Sequence, residues 1–127
     1  MKTKEEIKEF ILKTLLPYKE DPSTCGSEGG DCIYLTSDGR KCAFGKWMKE
    51  GVWQQPSDDN ASGIIEEYGA ETVLMKEAFE MNFAGRQWNY LQSYHDSIAG
   101  GESNHYINTD VKTIERIFDI ELPELKF

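Results

Sequence analysis

The chain has 127 residues, of which 39% are hydrophobic and 12% aromatic, enough apolar content for one core and too much for a disordered segment. Its formal charge is −9, and the excess lies entirely beyond residue 50, because residues 1–50 balance nine acids against nine bases. A surface of that sign repels phosphate backbones, which disfavours direct nucleic-acid binding and favours a basic protein partner.

Thr3-Lys4-Glu5-Glu6 fits a capping box, and Ile7, Phe10, Ile11 and Leu15 follow at helical spacing. The pattern predicts a helix over 4–15 that Pro17 ends. Residues 18–31 contain Pro22, Gly26, Gly29 and Gly30 and read as a loop. The stretch CIYLTSDGRKCAFG, residues 32–45, then places Asp38-Gly39 between two β-prone runs. A two-residue turn there pairs Leu35 with Cys42 and Ile33 with Phe44. Ile33, Leu35, Cys42 and Phe44 then share one face, and Cys32 falls on the other with Tyr34, Thr36, Lys41 and Ala43.

Trp47, Met48, Val52 and Trp53 suggest a turn and a further strand, followed by an exposed loop, PSDDNASG. Short helices are predicted over 63–69 and 71–80, the second carrying Val73, Leu74 and Phe79. A clearer helix spans 86–99 with the stripe Trp88, Leu91, His95 and Ile98, stopped by Gly100-Gly101. After a polar loop, Asn108 or Thr109 caps a last helix with Val111, Ile114 and Phe118. The expected fold is one α+β domain over 1–127, a small antiparallel sheet with the hairpin at about 32–45 packed with four to five helices.

No apolar run approaches the roughly 20 residues of a membrane helix. The N-terminal MKTKEEIKEF alternates charge, so a cytoplasmic location is the expectation. Three cysteines, an odd number, point to reduced thiols. Cys25, Cys32 and Cys42 lack C-x2-C spacing, and no nucleotide-binding glycine motif occurs, so no metal or cofactor is expected. Cys42 reads as a small hydrophobe in the core. A nucleophilic cysteine with His95 as base is the enzymatic alternative, although Asp96, about 100° round the helix, looks poorly placed to orient His95. The candidate binding residues are Tyr34, Arg40, Lys41, Trp47, Trp53 and His95, rings and cations able to receive a partner or a planar ligand.

The motifs C-x-Y (Cys32, Tyr34), D-G-x-K-C-A-x-G (Asp38, Gly39, Lys41, Cys42, Ala43, Gly45) and L-Q-x-x-H-D (Leu91, Gln92, His95, Asp96) resemble a family of small, uncharacterised proteins encoded mostly by phages and prophages. Members of that family often carry a further cysteine where this chain has Lys46. The resemblance implies a mobile-element origin, a host-cytoplasm setting and a contact between the hairpin and the later helix. The functional expectation is a small acidic binding protein that modulates a host process, such as antiviral defence, by covering a basic protein surface. The alternatives are a sponge for a small nucleotide in an aromatic and basic pocket, a cysteine–histidine hydrolase and a zinc-stabilised module; self-association is compatible with each.

Overall fold

A computed structural model of the protein describes residues 2–28, 31–32, 36–49 and 60–127. The first helix, α1, runs Lys4–Glu20. The capping box forms as the sequence predicts: Glu6 N donates to Thr3 Oγ1 and Thr3 N to Glu6 Oε1, both at 3.1 Å. The helix does not stop before Pro17. Proline lacks the N–H that would reach back to Lys13 and its ring crowds that carbonyl, yet the last turn closes through Asp21 N to Pro17 O. Burial of Tyr18, 2% exposed, holds that extra turn against the core.

Five more helices follow: α2 Ala61–Tyr68, α3 Ala70–Val73, α4 Lys76–Glu80, α5 Gly85–Ala99 and α6 Asn104–Phe118. The helix predicted over 71–80 is two pieces, since Leu74 and Met75 stay extended to pair with 47–49. There Met75 N donates to Trp47 O and Lys49 N to Val73 O. The last helix begins earlier than predicted because Ser103, not Asn108 or Thr109, supplies the cap, and Ile107 joins Val111, Ile114 and Phe118 in the core.

The α+β expectation is corrected: the described residues make an all-α fold. Extended pairing there amounts to the two-residue ladder of Ser27–Glu28 with Asp31–Cys32 and the single Met48–Leu74 bridge. The 32–45 hairpin fails for two reasons. Thr36 N donates to Arg40 O, so the turn encloses three residues, one more than Asp38-Gly39 alone would give. Beyond it Cys42, Ala43, Phe44 and Gly45 are all buried, which no two-faced strand allows; the chain coils into a turn and the 3-10 segment Gly45–Trp47. Ile33, Tyr34, Leu35, Val52, Trp53 and residues 56–59 of the PSDDNASG stretch lie outside the described residues, as does the side chain of Cys32; the rest of that stretch is not the expected exposed loop, because Asn60 caps α2 and Ala61, buried, opens it.

Helix α5 is the hub. It packs against α1, α2 and α6, and buries Trp88, Leu91, Tyr94, His95, Ser97 and Ile98. Gly85 permits the approach to α2, because a Cβ there would meet Ser62 Cα at 2.7 Å. Asp110 on α6 receives Ser97 Oγ at 2.6 Å, and Tyr94 Oη donates to Leu125 O, tying the C-terminal segment down. Phe10, Phe44 and Phe83 surround the Trp88 ring edge-on. No helix among the described residues is long and apolar enough to cross a membrane.

Candidate functional site: a basic pocket braced by α5

The last turn of α1, the 22–24 turn and the segment 39–46 enclose a shallow pocket of about 510 Å³. Pro17, Tyr18, Ser23 and Thr24 line one side, and Gly39, Arg40, Lys41 and Lys46 the other. Among the described residues three cations and no carboxylate line it, in a chain of charge −9.

Each wall has a local cause. Gly39 adopts φ +90°, a left-handed conformation that suits glycine, and its N–H donates to Thr36 O. The Thr36 hydroxyl donates to Asp38 and accepts from Arg40 N. Asp38 then holds Arg40 Nε at 2.9 Å, while Arg40 Nη1 donates to Cys25 O at 3.1 Å, so the guanidinium bridges both walls. On the other side Asp21 accepts from Ser23 N and Oγ, and the Thr24 hydroxyl donates to Asp21 O.

Lys46 Nζ donates to Thr14 O at 2.6 Å and lies 4.2 Å from the centre of the Tyr18 ring. Burial lowers its ammonium from the ordinary lysine value to about 8. The phenol of Tyr18 is raised by burial, and its hydroxyl donates to Lys41 O at 2.7 Å.

Beneath the pocket lies a polar trio on α5. Gly26 N donates to Nε2 of His95 at 2.9 Å, and Phe44 N donates to Gln92 Oε1 at 3.0 Å. Gln92 Nε2 donates to Asp96 Oδ1 at 2.8 Å, and His95 Nδ1 lies 2.9 Å from the same oxygen. A backbone amide can only donate, so His95 carries its proton on Nδ1 and gives it to Asp96. The sequence reading of Asp96 as poorly placed to orient His95 is therefore corrected. Neighbouring helical side chains diverge at Cβ, but the carboxylate bends back and Gln92 holds it there.

Of the residues singled out from sequence, Arg40 and Lys41 line the pocket. Trp47 does not: it stacks on Phe10 with centroids 4.7 Å apart and donates Nε1 to Thr14 Oγ1. His95 is fully buried behind the Tyr18 ring. Tyr34 and Trp53 lie outside the described residues. Lys46, Tyr18 and Gln92 were not among the candidate site residues, although Gln92 stands in the L-Q-x-x-H-D motif. Lys46 had a signal, since a lysine inside the apolar run AFGKWM must lie close to the core.

Catalytic thiol chemistry finds little support. Burial, reinforced by the Asp96 carboxylate, pushes the Cys25 thiol to about 11, and burial pushes Cys42 to about 12. The nitrogen a thiol would need on His95 is taken by Gly26. Among the described residues no group of three or more His, Cys, Asp or Glu is gathered to hold a metal ion. No protein-family model, curated protein or solved structure matches this chain.

Proposed function

We propose that the protein is a non-enzymatic binding protein whose pocket takes a small anionic ligand, with a phosphate ester as the best-fitting class. One observation carries the reading: among the described residues Arg40, Lys41 and Lys46 line the pocket with no lining carboxylate, in an otherwise acidic chain, with Asp38 pairing Arg40 from outside the lining. An anion beside one cation gains about 4 kcal/mol at surface dielectric before screening. The Ser23 and Thr24 hydroxyls already donate to Asp21, so the cations rather than these hydroxyls would hold the anion. Among the described residues the pocket offers no stacking platform, because Tyr18 is 2% exposed and Trp47 is in the core. The ligand is therefore held by its anionic group, with nucleobase recognition left secondary.

Titration of isotopically labelled protein with inorganic phosphate and with adenosine monophosphate tests this. Both should shift Thr24, Arg40 and Lys46 saturably, and Lys46→Met with Arg40→Gln should abolish the response. Shifts from neither probe at millimolar concentration would refute the pocket.

The acidic excess supports a second reading, a basic protein surface as partner, in keeping with the host-modulating role that the phage resemblance suggests. Glu66, Glu67, Glu71 and Glu80 are exposed along α2–α4, beside the exposed rings and thioether of Phe79 and Met75. Lys49 and Lys76 interrupt that face, and Glu77, Glu115, Asp119 and Glu124 are each paired with a lysine. The acidity is thus spread out, which ranks this reading second. Pull-down from a host lysate at low salt tests it, and a partner whose capture is insensitive to salt would count against it.

A further inference from the structure

We propose that His95 gates the pocket by pH: a second proton on its ring releases the Gly26 wall and with it the bound anion. The inference rests on the anionic-ligand reading of the pocket and concerns its regulation.

The two walls share one brace. Gly26, two residues beyond Thr24, is fastened to His95, and Phe44, two residues before Lys46, is fastened to Gln92, one turn away on the same helix. The protons in this brace are fully assigned. Gln92 must present its oxygen to Phe44 N, so its amide nitrogen donates to Asp96, and its 3.4 Å approach to His95 Nδ1 sets donor against donor. His95 Nδ1 therefore donates to Asp96 and Nε2 keeps the only lone pair, which Gly26 occupies.

A second proton can enter only at Nε2. It would set one N–H against another across a contact of 2.9 Å, inside a site that gives His95 no exposure. Leaving a buried donor without an acceptor costs about 1–3 kcal/mol, and more when the group is charged. The imidazole is held by its Nδ1 bond to Asp96 and packs at a steep angle on the Tyr18 ring, with centroids 4.6 Å apart. Gly26 is the part that can move. Its neighbour Cys25 carries the carbonyl that receives Arg40 Nη1, so displacement of this wall also loosens the guanidinium over the pocket.

Several titratable and charged groups face His95. The Asp96 carboxylate lies on its own helix and accepts from Nδ1. From α1 comes the Tyr18 phenol, with the Lys46 ammonium over that ring. Cys25 and Cys42, both within electrostatic reach of Asp96, remain protonated thiols throughout the relevant range. Histidine is the side chain whose charge ordinarily changes between about pH 5 and 8.

Sulfate is the suitable probe, since it stays a dianion where phosphate would itself titrate. Sulfate binding should weaken by about tenfold or more between about pH 7.5 and 5.5, and the hydrogen-exchange protection factor of the Gly26 amide should fall alongside it. His95→Gln, whose amide oxygen can accept from Gly26 without titrating, should bind sulfate equally at both values. Equal wild-type sulfate affinity at both values would overturn the gate and leave the pocket standing. Absence of sulfate binding at the higher pH would remove the pocket reading. The wild-type Gly26 protection factor then decides the latch alone, whether or not the variant folds: an unchanged factor overturns it.

Discussion

Gln92 and Phe44 are joined by a 3.0 Å hydrogen bond from the Phe44 amide to the Gln92 side-chain oxygen, across 48 positions of sequence. That bond gives the coiled 42–47 segment a backbone partner that a β-ladder would otherwise have supplied. Gln92→Leu should remove it, and with it the Gln92 Nε2 bond to Asp96. A loss of about 1–3 kcal/mol in urea-induced unfolding is expected, with weaker phosphate binding in the remaining folded protein.

Anion binding should also fall on the alkaline side. Burial lowers the Lys46 ammonium to about 8, so its charge disappears as pH rises through that value. Sulfate affinity measured from about pH 7 to 9 should drop, and Lys46→Arg, which stays charged, should flatten the profile. A wild-type affinity constant over that range would remove Lys46 from the site.

Stability should decline above about pH 9. Folding raises the Cys25 and Cys42 thiols to about 11 and about 12, so above their ordinary range the unfolded chain has lost protons that the folded chain keeps. Their contribution is complete at neutral pH and is lost progressively towards pH 11. Lys46 acts in the opposite sense between about 8 and 10.5, because there the unfolded chain binds the extra proton. Two thiols outweigh one amine, and Cys42→Ala should reduce the alkaline decline seen by chemical denaturation.

The same burial protects the thiols chemically. In native protein at neutral pH, Cys25 and Cys42 should resist iodoacetamide and become alkylated only after unfolding, read by peptide mass spectrometry. Rapid native modification of Cys42 would contradict its placement in the core.

Backbone devices give the smallest changes. Thr3→Ala should cost about 1 kcal/mol by removing the α1 cap. Gly39→Ala should cost a similar amount, about 1 kcal/mol, because the turn holds φ at +90° where a Cβ is strained although it meets no neighbour. Thermal melts of both variants check this.

What could be read from sequence divides along a physical line. Thr3 with Glu6, and the stripe Trp88, Leu91, His95, Ile98, are local signals, and the helices they predict are present. Asp38-Gly39 does mark a turn, but its size depends on which flanking residue closes it, and Thr36 uses both its backbone and its hydroxyl to do so. The strand expected after it was overruled by partners far along the chain, chiefly Gln92. Helix α1 outlasts Pro17 for the same reason, since Tyr18 finds burial and a hydrogen-bond acceptor only in the folded protein. Arg40 and Lys41 were found by charge. Lys46 was not, because its place depends on Thr14 O and the Tyr18 ring.

The bracing of both pocket walls by α5 bears on what can be cut out of this protein. Residues 17–46 contain every described side chain that lines the pocket, yet the groups that hold Gly26 and Phe44 in place lie at 92 and 95. A peptide covering 17–46 should carry the full lining and show no pocket. By linkage, a ligand that binds only the assembled walls should raise the melting temperature of the whole chain, so binding could be screened by thermal shift without a label on the site.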